Sequence, residues 1–327
     1  MMNVFITRPI PESGLQLLRE AGHTVRLSAT DAPLPAETLR AGLSGADAVI
    51  TMLSDKITAD VLAENPQLQI VTQFAVGFDN IDVQAATARG VSVCNTPDVL
   101  TDATADLAWA LLLAAARRVV EGDRYVRSGQ WDGWGPMQLL GTKVSGKTLG
   151  IVGAGRIGQA IGRRALGFQM PVLYNARYVK PEFEAEVGAQ WRDLDDLLRE
   201  SDFISISCPL TPETRHLIDA RRLELMKPSA VLVNTARGPV VDEEALAMAL
   251  RSRKIAAAGL DVFEKEPEIH PDLMGLDNVV MLPHAGSGDV ETREVMSELC
   301  ARNIIAHFRG EEPPTLLNPK STPPGFE

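Results

Sequence analysis

Short apolar runs alternate with segments of helical spacing along the whole chain. In the first hundred residues the runs are VFIT (4–7), TVRL (24–27), AVITM (48–52), IVTQF (70–74) and VSVCN (91–95), and they predict five strands of a small parallel α/β domain. Between them, SGLQLLREAG and NIDVQAATARG carry apolar positions at helical spacing and finish in glycine, as connections from helix to strand often do. From Thr101 to about Arg127 the pattern is continuously helical, with Thr101 or Asp102 as N-cap, and predicts one long bridging helix.

The glycine-rich stretch SGQWDGWGPMQLLGTKVSG follows and reads as a loop or arm tied down by Trp131 and Trp134, which serve either intrachain packing or a partner. A second alternating series then begins. Its strand candidates are TLGIVG, PVLYN, DFISISC, AVLVNT, AAAGLDV and NVVMLP, separated by helical segments such as GQAIGRRAL, LDDLLRE and DEEALAMALRS. Six strands with intervening helices predict an open parallel sheet covered on both faces. An amphipathic segment at 289–309 can return the chain to the first domain, and a proline-rich tail, EEPPTLLNPKSTPPG, follows it.

The 327 residues suffice for two domains of roughly 100–200 residues each. Hydrophobic residues at 45% and charged residues at 23% exclude a disordered or fibrous chain. A net charge of -11 disfavours a broad polyanion-binding surface, so no nucleic-acid partner is expected, while a local basic pocket for a small anion stays compatible. The most apolar stretch, LAWALLLAAA at 107–116, is too short to span a bilayer, and no membrane partner is expected. Cys94, Cys208 and Cys300 are far apart, odd in number and free of CxxC spacing, which reads as core thiols in a reducing, cytoplasmic setting. His23, His216, His270, His284 and His307 form no pair with metal spacing, so no metal is expected.

Residues 153–158 read GAGRIG, between the strand-like TLGIV and a helical segment. Gly153 permits the tight turn, Gly155 lets backbone amides approach a pyrophosphate at the helix N-terminus, and Gly158 lets helix and sheet pack closely, so a dinucleotide site is expected. The next strand ends at Asn175, where an NAD site usually places an acid. Asn175 does not repel a 2′-phosphate and Arg177 can pair with one, which favours NADP(H), with NAD(H) and a solvated Arg177 as the alternative.

Three segments place polar groups just beyond apolar strands. His284 follows NVVMLP and opens HAGSG; Arg237 lies in VLVNTARGPVVDEEAL (231–246); Glu266 lies beyond Asp261 in AAAGLDVFEKEP. A guanidinium at 237 can aim at a planar carboxylate, the alternative being an ion pair with Asp242 or Glu243. Glu266 in a charged loop is equally compatible with plain solvation.

With these residues in view the chain resembles the D-isomer-specific 2-hydroxyacid dehydrogenase family, and within it the glyoxylate and hydroxypyruvate reductases. The resemblance covers almost the whole chain through FAVGFDNID (74–82), NTPDVLTDATADLAWALLLAAARR (95–118), GAGRIGQAI, CPLTPET, NTARGPVVDEEAL, GLDVFEKEP and LPHAGS. It implies two Rossmann-like or flavodoxin-like α/β domains: a discontinuous substrate-binding domain of residues 1–98 and 288–327, and a dinucleotide-binding domain of 99–287. It implies Arg237, Glu266 and His284 as the catalytic set. His284 is then the general acid and base, Glu266 orients it, and Arg237 grips the 2-oxoacid carboxylate while hydride reaches C2 from the reduced nicotinamide.

By the same resemblance Val76 and Gly77 form a backbone cradle for the substrate carboxylate, with Leu53 and Ser54 on the opposite wall. The cofactor is implied at Thr104, Gly153, Gly155, Arg156, Ile157, Gly158, Asn175, Arg177, Cys208, Pro209, Thr214, Thr235, Ala236, Arg237, Asp261, His284 and Gly286. A homodimer is implied, with the Trp131 to Gly141 segment reaching toward the other subunit. Two departures bear on substrate. Val76 stands where phosphite-oxidising members carry a lysine, which argues against that activity, and Gln138 stands where many hydroxypyruvate-reducing relatives carry a tryptophan.

The resulting expectation is reduction of glyoxylate to glycolate, with hydroxypyruvate to D-glycerate as a second activity, by NADPH. The alternatives are another D-2-hydroxyacid dehydrogenase, such as a 2-ketogluconate or D-lactate-type reductase, and a dinucleotide-sensing corepressor. Closure of a cleft is expected to hinge near Asn95 to Thr101 and Ala285 to Asp289.

Overall fold

In the first hundred residues, strands β1 (Asn3–Ile6), β2 (Thr24–Leu27), β3 (Ala48–Thr51), β4 (Ile70–Gln73) and β5 (Ser92–Cys94) pair in parallel in the order β2-β1-β3-β4-β5. The computed structural model describes residues 1–319; the end of the proline-rich tail, from Lys320, lies outside the described residues. Two units make up the chain, one of Met1–Leu100 rejoined from Ser287 onward, the other of Thr101–Gly286. Both sheets are entirely parallel, and the α/β class read from the alternating pattern holds.

Every residue of β3 and β4 is buried, as a parallel sheet covered on both faces requires. Phe5, Leu43, Val49, Leu62 and Val71 lie in the core on one side. The helix Val290–Phe308 packs against β4 and against the helix Glu12–Glu20, returning the chain to its first unit. It starts at Asp289, whose carboxylate accepts the Thr292 N–H at 2.7 Å. Beyond it the tail docks on the sheet: Leu316 bridges Cys94 in antiparallel fashion and Leu317 N–H donates to the Val93 carbonyl at 2.8 Å.

The second unit holds seven strands, β6 (Leu149–Val152), β7 (Val172–Asn175), β8 (Gln190–Trp191), β9 (Phe203–Ile206), β10 (Val231–Asn234), β11 (Ala257–Leu260) and β12 (Val279–Met281). Their order is β12-β11-β10-β9-β6-β7-β8. Six of them match the sequence expectation. The seventh, β8, has two residues, too few to carry any periodicity. Between β6 and β9 the order reverses, so the connections diverge there and leave a crevice at the carboxyl edge of the sheet. Leu111, Leu112, Ile161 and Phe183 fill one face of this sheet, and Leu197, Leu223, Leu246 and Leu250 fill the other.

One expectation needs correction. The bridging helix is not continuous: it runs Thr101–Ala116, breaks, and resumes as Val119–Arg127. Arg118 adopts a left-handed φ of 53°, and the Ala116 carbonyl is taken at 2.8 Å by the Thr142 N–H. Apolar positions continue across the break at Val119 and Val120, which is why periodicity alone reads through it. Of the two readings left open for the tryptophans, intrachain packing is the one the structure disfavours: Trp131 is 52% exposed and Trp134 83% exposed, beside exposed Met137 and Leu140.

Gly14 sits where the helices Glu12–Glu20 and Val290–Phe308 cross, and a Cβ there would fall 2.3 Å from the Ser297 carbonyl oxygen and hydroxyl. Ser297 is itself held, donating its hydroxyl to the Pro11 carbonyl at 2.7 Å. Gly14→Ala is therefore expected to cost the first unit about 1–3 kcal/mol through forced separation of the two helices, read as a lower denaturant midpoint by circular dichroism.

Candidate active site

His284 lies just beyond β12 with a left-handed φ of 54°, a conformation that a non-glycine residue adopts only when its surroundings impose it. Asp261, just beyond β11, imposes it. Its carbonyl accepts the His284 N–H at 2.9 Å and its Oδ1 accepts the Ala285 N–H at 2.7 Å. Burial pushes the Asp261 carboxyl above its usual range, against the Ala285 and Gly286 N–H groups and the charge of His284.

The imidazole Nδ1 of His284 is 2.8 Å from Glu266 Oε2, and the other carboxylate oxygen, Oε1, accepts the Phe263 N–H at 3.0 Å. Burial raises the Glu266 carboxyl, but the His284 hydrogen bond and charge, the Phe263 N–H and the charge of Arg237 outweigh it and hold the group below the usual carboxylate range. An ionised Glu266 makes Nδ1 the protonated nitrogen, so Nε2 is the ring atom able to exchange a proton with a substrate. The side chains are 30% and 35% exposed, open enough for a substrate to reach.

Arg237 follows β10 in extended backbone, half-buried, with Nη1 donating to the Ala236 carbonyl at 2.8 Å. Asn234 holds this turn from inside, donating Nδ2 to the Arg237 carbonyl at 2.9 Å and accepting the Ala236 N–H at 3.0 Å. The two acids weighed as its partners carry other contacts: Asp242 caps the helix Glu243–Arg251 through the Ala245 N–H, and Glu243 accepts the Glu264 N–H. Arg237, Glu266 and His284 thus come from three neighbouring loops at one edge of the sheet.

The cofactor candidates occupy the same edge. Gly153 has a φ of +100°, and a Cβ there would lie 2.5 Å from the Cys208 nitrogen; at Gly158 it would lie 2.1 Å from the Gly153 carbonyl oxygen. Only glycine fits either place. Gly155 caps the helix Arg156–Ala165 with no side-chain cap over its N-terminus, the end of a helix that suits an anion. Asn175 ends β7 and donates Nδ2 to the Arg192 carbonyl at 2.9 Å, while Arg177 is exposed. The Glu213 carboxyl is held low by the Thr211 hydroxyl first, with the charge of Arg177 contributing.

Cys208 is buried, and burial pushes its thiol up to about 11, which makes it a neutral wall. Thr214 closes the adjoining turn, donating its hydroxyl to the Pro209 carbonyl at 2.7 Å. Two atoms test whether a dinucleotide fits. Thr235 Oγ1 and Asp261 Oδ2 are buried without a hydrogen-bond partner, and Asp261 Oδ2 borders Thr104 and Gly286. Buried polar atoms of this kind are satisfied by a polar ligand, and with the glycine cradle they fit the group.

In the first unit Leu53 and Ser54 follow β3, and Val76 and Gly77 follow β4, also at carboxyl ends. A buried polar network that the sequence reading missed fixes both loops. Asn80 Nδ2 donates to the Met52 and Asp55 carbonyls at 3.1 and 2.7 Å and its Oδ1 accepts Gln73 Nε2 at 3.0 Å. Asp55 Oδ2 accepts the Met52 N–H at 2.8 Å, and Asn95 Nδ2 donates to the Val76 carbonyl at 2.8 Å. Thr51 and Gln73, polar residues inside apolar strand runs, were the available signal.

Comparison with known proteins agrees with this geometry. The family model described as D-isomer specific 2-hydroxyacid dehydrogenase, NAD binding domain, matches residues 109–286. The glyoxylate reductase of Thermococcus onnurineus (strain NA1) is 54% identical over 99% of both chains. A crystal structure of a protein from Thermus thermophilus superposes with a TM-score of 0.91 at 45% identity, covering 97% of this chain and 100% of that one. The NADPH-dependent glyoxylate/hydroxypyruvate reductase of Sinorhizobium meliloti, solved with NADP and malonate, is 33% identical with a TM-score of 0.85 over 97% of this chain and 96% of that one. A full-length match to these enzymes, on a sheet edge built to take a nicotinamide dinucleotide, places this chain in the D-isomer-specific 2-hydroxyacid dehydrogenase family.

Proposed function

We propose that the protein reduces glyoxylate to glycolate, with hydroxypyruvate to D-glycerate as a second activity, using NADPH in preference to NADH. The observation that carries this reading is the 2.8 Å His284–Glu266 pair, with Arg237 close enough to stabilise the Glu266 carboxylate, on a chain 54% identical to a glyoxylate reductase.

The bound reduced nicotinamide supplies the hydride. Arg237 takes the 2-oxoacid carboxylate and stabilises charge developing on the carbonyl oxygen. Protonated His284 donates from Nε2 to that oxygen, and Glu266 keeps the ring in place through Nδ1 and stabilises its charged form. In the oxidative direction neutral His284 removes the hydroxyl proton. Leu53, Ser54, Val76 and Gly77 are the proposed substrate contacts of the first unit, the amides of Val76 and Gly77 taking carboxylate oxygens.

For the cofactor, the amides at Gly155, Arg156 and Ile157 are assigned to the pyrophosphate and Asp261 Oδ2 to a polar nicotinamide substituent. Thr104, Cys208, Pro209, Thr214, Thr235, Ala236 and Gly286 serve as walls. The absence of an acid at Asn175 and the exposed Arg177 favour a 2′-phosphate. The protein is proposed to act as a cytoplasmic homodimer, because Trp131, Trp134, Met137 and Leu140 together leave an apolar arm uncovered.

Purified protein should oxidise NADPH faster with glyoxylate than with pyruvate or 2-ketogluconate, and His284→Ala should lower kcat by about 10²-fold or more while NADPH still binds. Faster turnover of the larger 2-oxoacids would shift the assignment to another dehydrogenase of the family. Arg177→Ala should weaken NADPH binding about tenfold and leave NADH unchanged, measured by nicotinamide fluorescence; equal loss for both would remove the phosphate contact. Light scattering should give twice the monomer mass, and Trp134→Ala should move the protein toward monomer.

A further inference from the structure

We propose that His216 and Glu264 are positioning residues for the reaction: together they fix the segment that carries Glu266, and through it the imidazole of His284. The proposal rests on the reading of His284 as the acid–base group. Neither residue belongs to the catalytic set or the cofactor walls.

The segment from Phe263 to Pro267 leaves β11 as loop, a poor support for a residue that must hold a ring to within a fraction of an ångström. It is pinned at successive peptides. Phe263 N–H donates to Glu266 Oε1, and Glu264 N–H donates to Glu243 Oε1 at 3.3 Å. Gly238, the neighbour of Arg237, lies flat on the Phe263–Glu264 peptide, so close that a Cβ would meet the Phe263 carbonyl carbon at 1.9 Å.

The remaining anchor is the Glu264 side chain. Its Oε1 pairs with His216 Nε2 in a short hydrogen bond and lies 3.8 Å from Arg215 Nη2. His216 is itself fixed: its φ is 49°, its N–H donates to the Pro239 carbonyl at 2.8 Å, and its Nδ1 lies 4.0 Å from Asp242. It stands at the end of the loop that begins with Cys208, Pro209 and Thr214.

The Glu264 carboxylate therefore ties the Glu266 loop after β11 to the loop after β9, and the His216 N–H on the Pro239 carbonyl ties that loop in turn to the Arg237 loop after β10. The charges around the pair are Arg215 and Asp242 beside His216, and buried Glu243 beside the Glu264 amide, with His270 acting on Glu243. Burial first, and then the Glu264 charge, raise the Glu243 carboxyl. Releasing the Glu264 carboxylate frees the stretch two residues before Glu266 and loosens the ring it orients.

The test needs no substrate for its first readout. Protein labelled with 15N-histidine has five imidazoles, and the His284 Nδ1–H held by Glu266 is expected as a downfield, slowly exchanging proton assigned by its loss in Glu266→Ala. His216→Ala and Glu264→Ala should broaden or abolish that signal. The same variants should lower kcat about tenfold with KM for glyoxylate and NADPH affinity within about twofold, as expected for misplacement of the reacting groups rather than lost binding.

Glu264→Gln and His216→Gln, which retain a donor–acceptor pair, should recover most of kcat. If an alanine variant does not fold, His216→Asn, polar but too short to reach Glu264, replaces it with the same readouts. A folded variant with an unchanged His284 signal and unchanged kcat overturns the proposal, as does a loss confined to KM or thermal stability. A wild type that turns over no 2-oxoacid while its His284 signal responds as described overturns the functional reading alone.

Discussion

A buried carboxylate holding a strained turn is the constraint on which the site depends. Asp261 is 1% exposed, yet it takes the Ala285 amide on one oxygen and accepts the His284 N–H on its own carbonyl. Left-handed backbone at a non-glycine residue costs on the order of 1–3 kcal/mol, and two hydrogen bonds from one well-buried residue are of the size needed to hold it. The second Asp261 oxygen is buried without a hydrogen-bond partner among the described residues.

The sheet supplies what Asp261 cannot. Parallel strands all deliver their loops to one edge, so β6, β9, β10, β11 and β12 bring a glycine cradle, a cofactor loop, an arginine, an acid and a histidine together without long excursions. Close approach does the rest: Gly153 against Cys208 and Gly238 against Phe263 and Glu264 leave no room for a side chain between loops. The loops at this edge are packed closely on one another.

Much of this was legible beforehand. The strands were visible because each is a short apolar run, and Arg237, Glu266 and His284 stood out as loop residues because NTARG, FEKEP and PHAGS each follow such a run; their catalytic roles came from the family resemblance alone. The break at Arg118 was not, since a helix can stop for want of a carbonyl taken by a residue far along the chain, and Thr142 leaves no trace in local periodicity. For the same reason the Asn80, Gln73 and Asp55 network and the His216–Glu264 pair were invisible: each joins residues on different elements, and a polar residue looks the same in sequence whether solvated or buried. The tryptophans left two readings open for a related reason, because an aromatic pair reads as an anchor whether its counterpart lies in the same chain or outside it.

The docked tail has a consequence for how the first unit survives in solution. β5 would otherwise end the sheet as an open strand with buried, apolar Val93 and Cys94 and unpaired backbone groups, the kind of border along which separate molecules zip together. Leu316, Leu317 and Asn318 occupy that border, Asn318 accepting the Val93 N–H through its side chain and Leu317 donating to the Val93 carbonyl. At the opposite border β2 is mostly exposed and carries a charged Arg26. The stretch from Leu316 to Asn318 thus acts as a selvedge, finishing the one margin of the sheet that its own side chains do not protect.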